Sequence, residues 1–165
     1  MILDLKKIFT DENETLSFDY NMDLSSTEVG GGAYPFVSPV KVKGTVVGKD
    51  GFAQLKVGAS FDFSVPCDRC AGRINRRYDY SFSHTLVPSL ENEDDDRFIE
   101  VRDEQLNLDE LVREDILLEL PTKFLCREDC KGICPKCGKN LNDGPCGCDS
   151  QHIDPRFDVL KNLIH

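Results

Sequence analysis

The chain has 165 residues, a formal net charge of −10 at pH 7 and eight cysteines. This length allows one modest core with a small appendage and excludes two large domains. The acidic balance argues against non-specific adhesion to nucleic acid, because a phosphate-binding surface must be locally positive. No apolar run approaches the roughly 20 residues of a membrane span, and the first residues lack the plan of a signal peptide. We therefore expect a cytoplasmic protein with no membrane partner, whose thiols stay reduced.

The first half of the chain predicts an antiparallel sheet. Apolar and polar residues alternate over Leu16–Leu24, Val40–Val46 and, most regularly, Ala53–Val65, which is the period of strands with one buried face. The alternation breaks at Cys67–Gly72 and resumes over Ile74–Leu86. A cysteine pair should therefore lie at the tip of a β-hairpin, where its side chains can converge on a metal ion.

The second half predicts helices. Residues 88–97 contain five acids and indicate a solvated acidic loop, followed by a short strand near 98–101. Asn107 as a cap, acids in the first turn, an apolar stripe and Pro121 as a stop predict a helix near 108–120, packed on the sheet. Asp154 and Pro155 fit the start of a short C-terminal helix.

These elements predict the α+β class: an antiparallel β-sheet or open barrel with one packed helix, then a small cysteine-rich zinc ribbon and a short C-terminal helix. The expected division is a β-rich core domain over 1–125, a zinc ribbon over 126–148 and a tail helix over 149–165.

The cysteines are divisible into two sets of four, which suits about two zinc ions in tetrahedral thiolate coordination. Cys134 to Cys148 follow a C-x2-C-x8-C-x-C pattern, a complete local set. The other four join the hairpin tip to the segment after the helix. The predicted metal ligands are Cys67, Cys70, Cys126, Cys130, Cys134, Cys137, Cys146 and Cys148.

Two alternatives remain for the cysteines. Cys67/Cys70 and Cys134/Cys137 could share one ion, as in two-knuckle zinc ribbons. Alternatively, Cys67 and Cys70 could be a redox dithiol, but such pairs normally lie at a helix N-terminus within a βαβ pattern. A hydrolytic centre would need an open coordination position and usually His or carboxylate ligands. We therefore expect no enzyme, no catalytic residues and no small-molecule substrate.

Basic residues surround the cysteines in an otherwise acidic chain. They either neutralise thiolate charge or form a patch that contacts RNA phosphates. The candidate RNA-contacting residues are Arg73, Arg76, Arg77, Lys131, Lys136 and Lys139.

Five motifs together resemble one family. They are the C-x-R-C hairpin tip, LNLDELVREDILLELP, LCREDCKGICPKCGKNLN, a C-x-C pair and the terminal DPRFDVLKNL. The combination is similar to the YceD-like family of bacterial and plastid proteins, also called large ribosomal RNA subunit accumulation proteins. This resemblance implies a role in 23S ribosomal RNA accumulation and large-subunit assembly, with ribosomal RNA or pre-ribosomal particles as partners and no assigned enzymatic activity. The competing interpretation is an adaptor that binds a basic ribosomal protein through its acidic surface, with zinc purely structural.

Overall fold

The computed structural model describes residues 1–11, 14–29, 34–90 and 97–148. Within them, the chain forms strands, two α-helices and two short 3-10 helices, Arg102–Glu104 and Leu141–Asp143. In chain order, the other elements are β1 (Ile2–Asp4), α1 (Lys6–Thr10), β2 (Thr15–Met22), β3 (Val40–Lys49), β4 (Phe52–Pro66), β5 (Arg73–Val87), β6 (Phe98–Glu100), β7 (Gln105–Asn107) and α2 (Leu108–Glu119). The predicted α+β class is confirmed. No helix of the described residues is long and apolar enough to cross a membrane.

Within the described residues, five strands form one sheet in the order β2-β3-β4-β5-β6. The first four pair antiparallel in chain order, as the predicted hairpin and antiparallel sheet require. Strand β6 pairs parallel to the end of β5, so the sheet is mixed. Strands β1 and β7 form a separate antiparallel pair. Periodicity predicts which residues form a strand but not its direction, which explains why the sequence did not show the parallel pair.

One face of this sheet carries the core. On β4 the buried side chains alternate, and Phe61 and Phe63 are only 2% and 1% exposed. Helix α2 covers this face with Leu108, Val112 and Ile116, which are 0% exposed. Full burial of each such side chain contributes about 1.5–3 kcal/mol of hydrophobic free energy. The opposite face of strands β2 to β5 is polar and remains open in the described part of the chain.

Helix α2 begins and ends where the sequence predicted, to within one residue. The Asn107 side chain accepts a hydrogen bond from the Glu110 amide, and Pro121 follows the helix. His84 Nε2 lies 2.8 Å from Asp115 Oδ2 and so ties β5 to this helix; His84 belongs to neither cysteine group.

Some predictions fall outside the described structure or stay untested. Helix α1 was not predicted, because its five residues are too few to display a helical period. The C-terminal tail helix in 149–165 and most of the acidic loop lie outside the described residues. The division at residues 125 and 148 stays a prediction.

Candidate metal centres

The hairpin joining β4 to β5 presents Cys67 and Cys70 at its tip. The Cys67 amide donates to the Gly72 carbonyl at 2.8 Å, and the Ala71 amide donates to the Cys67 carbonyl at 2.8 Å. This tight turn requires a positive φ of 57° at Ala71. It brings both thiols to the same side of the turn, because the chain reverses between them.

The segment after α2 supplies two further thiols to the hairpin tip. Its path is fixed by Asp68, whose amide donates to the Phe124 carbonyl at 2.9 Å and whose carboxylate accepts from the Phe124 amide at 2.7 Å. Arg69 also donates to the Cys130 carbonyl at 2.9 Å. Cys126 and Cys130 are thereby held against the tip.

We call the resulting group the hairpin site: Cys67, Cys70, Cys126 and Cys130. Its four sulfurs all lie within 4.8 Å of one another. The Cys67 and Cys130 sulfurs are 3.9 Å apart, and those of Cys70 and Cys126 are 3.7 Å apart. A tetrahedral ion with metal–sulfur bonds of about 2.3 Å requires sulfur separations of about 3.8 Å. These two distances therefore fit a zinc-sized tetrahedron.

The second group, which we call the loop site, contains Cys134, Cys137, Cys146 and Cys148, with all sulfurs within 4.8 Å. Its first turn repeats the hairpin tip: the Cys134 amide donates to the Lys139 carbonyl at 2.8 Å, and the Gly138 amide donates to the Cys134 carbonyl at 2.9 Å. Gly138 has a φ of 72° where the hairpin tip has Ala71. Both sites are thus built on one backbone motif with different residues at the left-handed position.

The thiols of the hairpin site differ in acidity. Burial opposes ionisation of Cys67, but amide donors at Cys126, Cys70 and Arg69 outweigh it and lower its pKa to about 6. The hydrogen bond to Cys130, together with burial, raises the pKa of Cys126 to about 12. Converging thiolates repel one another, so they cannot all ionise without a cation between them. A dication would remove that repulsion.

The loop site shows the same division. Amide donors at Cys137 and Lys136 lower the pKa of Cys134 to about 6. The hydrogen bond to Cys137, together with burial, raises the pKa of Cys148 to about 12. In each group one thiol, Cys67 or Cys134, ionises readily near neutral pH, and another, Cys126 or Cys148, stays protonated. Both groups could hold a metal ion.

Asn142 connects the two sites, and the sequence analysis did not identify it. It lies between Cys137 and Cys146 along the chain, yet its side-chain amide donates to the Cys130 sulfur of the hairpin site at 3.3 Å. The side-chain oxygen Oδ1 of Asn142 accepts from the Arg127 guanidinium at 2.7 Å and from the Lys131 backbone amide at 2.8 Å. The Asn142 hydrogen bond is the largest influence lowering the pKa of Cys130. No local spacing signals this contact.

The structure thus brings the eight predicted cysteines together in the two expected groups, and the alternative set of Cys67, Cys70, Cys134 and Cys137 does not converge. The six candidate RNA-contacting residues do not form one patch. Arg73 and Arg77 lie on the open face of the sheet, while Arg76 lies on the face that carries the core and donates to the Leu125 carbonyl at 2.9 Å. Lys139 donates to the Pro145 carbonyl at 3.1 Å. Their contact with RNA stays a prediction.

Comparison with known proteins identifies a family whose model matches most of the chain. The model of the YceD family, described as large ribosomal RNA subunit accumulation protein YceD, matches residues 55–164. An uncharacterised protein of Mycobacterium tuberculosis is 32% identical over 102 residues, 59% of this chain and 49% of that protein. The uncharacterised protein YlbN of Bacillus subtilis is 28% identical over 154 residues, 92% of this chain and 89% of YlbN.

A third relative has an informative name. The chloroplastic large ribosomal RNA subunit accumulation protein YCED homolog 1 of Arabidopsis thaliana is 34% identical over 59 residues, 36% of this chain and 18% of that protein. The chain spans about half the length of the mycobacterial relatives that it matches. No solved structure matches the chain significantly.

Proposed function

The chain belongs to the YceD family, the large ribosomal RNA subunit accumulation proteins, and on that premise we propose that it is a non-enzymatic zinc-binding factor for 23S ribosomal RNA accumulation. It acts in the cytoplasm, on ribosomal RNA or pre-ribosomal large-subunit particles. Family membership carries this proposal, and the two cysteine groups give it a physical basis. The hairpin site joins the residues after α2 to the sheet, and the loop site closes residues 134–148 on themselves.

Zinc is the metal that the ligand chemistry favours. Thiolates are soft ligands, and tetrahedral all-sulfur sites are typical of zinc or iron–sulfur centres. The sulfur separations of 3.7 and 3.9 Å at the hairpin site suit a single ion with four ligands. Elemental analysis of protein purified without chelator or oxidant should give about two zinc ions per chain. One ion or none would contradict the two-site proposal.

A structural rather than catalytic role follows from the closed ligand sets. Each group offers four cysteine sulfurs, which complete a tetrahedron and leave no position for water or substrate. Catalytic zinc normally keeps three protein ligands and one open position. The role of these sites is therefore to fix the backbone of the segment after α2.

Depletion of the protein in the cell that encodes it tests the functional proposal. We expect 23S ribosomal RNA and large subunits to fall relative to 16S RNA and small subunits, and wild-type protein to restore them. The double variant Cys67→Ser/Cys130→Ser should fail to restore them because it loses the hairpin site. Unchanged 23S levels after depletion would overturn the proposed function.

The exposed face of α2 favours a second candidate, an adaptor for a basic ribosomal protein. Leu118 is 85% exposed and is flanked by the exposed carboxylates of Glu114 and Glu119. An acidic surface with an apolar centre suits a basic protein partner. Recovery of ribosomal proteins with the tagged chain that survives RNase treatment would favour this adaptor, whereas RNase-sensitive recovery favours RNA contact.

A further inference from the structure

The open face of strands β2 to β5 differs in charge from the rest of the molecule. The whole chain carries a formal charge of −10. On this face, however, six cations stand against three carboxylates, a surplus of three positive charges. The cations are Lys41, Lys43, Lys49, Lys56, Arg73 and Arg77, and the carboxylates are Asp19, Asp62 and Asp79.

Three of these cations lie on the adjacent strands β3 and β4. The strand register sets Lys43 opposite Gly58, and Lys56 opposite Thr45 on the adjacent strand. Lys41 and Lys43 are two residues apart on β3, a separation of about 6.6 Å. In the described part of the chain, none of Lys41, Lys43 and Lys56 forms an ion pair. The register also sets Asp19 opposite Lys43, but the face of strands β2 to β5 as a whole keeps its surplus of positive charge.

The face also has a groove of suitable shape. Two depressions of about 530 and 270 Å³ lie side by side on this face, with Lys41, Ser60 and Arg77 lining both, and we refer to them together as the groove. Gly58 lies in the larger depression, and its backbone conformation is one that other amino acids can adopt. A Cβ at this position would be 3.7 Å from the Tyr80 carbonyl oxygen and 3.8 Å from the Lys43 carbonyl oxygen, which are ordinary contact distances. The missing side chain keeps the groove open, and folding does not require it to be missing.

The cations and hydroxyls of this face suit the backbone of a nucleic acid. The groove itself is lined by three cations and by the carboxylates of Asp19, Asp62 and Asp79, so the positive surplus comes from the face as a whole. Phosphate oxygens accept from Lys and Arg, and hydroxyls such as those of Ser60 and Ser81 can donate to phosphate or to a ribose 2′-hydroxyl. Phe52 is the sole aromatic residue on the outward positions of β2 to β5, and it lies beside the β3–β4 turn. The groove therefore lacks the stacking platform that single-stranded RNA uses. These features match a double-helical segment read by its shape and phosphates.

From this charge and geometry we infer that the open sheet face binds the phosphate backbone of helical RNA, with Lys41, Lys43 and Lys56 as its principal contacts. The inference rests on the proposed function and specifies its RNA-contacting surface. The surface lies on the sheet, and Arg73 and Arg77 are its members from the predicted basic set. Lys131, Lys136 and Lys139, among the later cysteines, are not part of it.

The first test compares two triple variants that change the net charge equally. Affinity for a fluorescent 20-base-pair RNA duplex is measured by anisotropy at several salt concentrations. For Lys41→Gln/Lys43→Gln/Lys56→Gln we expect affinity to fall by about tenfold or more, and the slope of log K against log salt to fall by about three units, one per lysine. The control is Lys6→Gln/Lys7→Gln/Lys123→Gln, at exposed positions away from this face, and it should bind like wild type.

The second test needs no charge removal. Gly58→Gln and Gly58→Glu place side chains of the same size in the groove, and extended backbone at this position accepts both. Both should weaken duplex binding by obstruction, and the glutamate should weaken it further by repelling phosphates. Equal, wild-type-like binding by the two variants would overturn the inference, as would a lysine triple variant no weaker than its control.

Failure of the inference is distinguishable from failure of the proposed function. A wild-type protein that sustains 23S levels but has no affinity for the duplex overturns the sheet-face inference alone. So does RNase-resistant capture of an acidic protein that is lost in the lysine triple variant, because the face then serves a protein partner. Duplex binding through these lysines in a protein whose depletion leaves 23S levels unchanged supports the surface and overturns the proposed function.

Discussion

The hairpin site and the loop site share one turn motif but close very different lengths of chain. The Cys67–Cys130 contact joins residues 63 positions apart, whereas all loop-site ligands fall within residues 134–148. Cys67 and Cys130 are each 3% exposed and belong to the hydrophobic core cluster, while Cys137 is exposed. A metal at the hairpin site therefore stabilises tertiary structure, and a metal at the loop site stabilises a local fold. The difference shows how similar ligand sets acquire different structural consequences from their position in the chain.

Loss of a ligand should have the largest effect and should distinguish the two sites most clearly. Cys67→Ser should release residues 121–133 from the hairpin tip and lower the melting temperature of the whole protein, because an incomplete site leaves converging thiols without a cation. Cys134→Ser should unfold the loop and spare the sheet. Each variant should lose one metal ion, since structural zinc sites contribute on the order of 10 kcal/mol to folding.

Amide hydrogen exchange with metal analysis separates these two outcomes. Protection should fall across 121–133 in the first variant and within 134–148 in the second. If both variants lost protection in the sheet to the same extent, the loop site would also support the sheet, and the two sites would not be independent.

Acidification should weaken both sites together, because protons compete with metal for the thiolates. The pKa values near 12 at Cys126 and Cys148 mean that these thiols are protonated at pH 7 and must release their protons on binding. The pKa values near 6 at Cys67 and Cys134 add further competition below pH 6. Metal affinity should therefore rise with pH above 6 and fall more steeply below it. Titration calorimetry in buffers of different ionisation enthalpy measures the released protons, and an absence of proton release at pH 7 would contradict this.

Replacement of Asn142 should show whether one site depends on the other, because this residue lies in the segment of the loop site but contacts a ligand of the hairpin site. Asn142→Ala removes the donor to the Cys130 sulfur, and loss of such an outer hydrogen bond typically weakens metal affinity by about 10- to 100-fold. Competition with a chromophoric chelator should show one weakened site per chain. Asp143→Ala, at the exposed neighbouring position, is the control and should leave both sites unchanged. Weakening of the loop site alone would contradict the assigned contact.

The smallest expected effect concerns the shared turn. Ala71 has a φ of 57° at the position where the loop site has Gly138, and a left-handed conformation costs a residue with a Cβ about 1 kcal/mol. Gly138→Ala should therefore destabilise the loop site by about that amount, although its Cβ would meet nothing within 4 Å. Ala71→Gly should leave stability nearly unchanged or raise it slightly, because relief of strain is offset by greater freedom of the unfolded chain. Chemical denaturation of the metal-loaded protein measures both, and an equal response to the two changes would show that φ is not the deciding factor.

The sequence by itself determined the features that depend on neighbouring residues. Period-two alternation identified β2 to β5, Asn107 and Pro121 bounded α2, and the Cys134–Cys148 spacing placed the loop-site thiols in one short segment. Each signal is local because backbone geometry repeats every two residues in a strand and every 3.6 in a helix. The hairpin-site grouping followed only as the remaining four cysteines.

Tertiary structure decided what depends on distant segments. It set Cys126 and Cys130 against the hairpin tip, directed β6 parallel to β5, and carried Asn142 from one site to the sulfur of the other. It also aligned Lys43 with Gly58 across two strands. No local pattern encodes these contacts, because they result from burial of the whole core and from hydrogen bonds between segments remote in the chain.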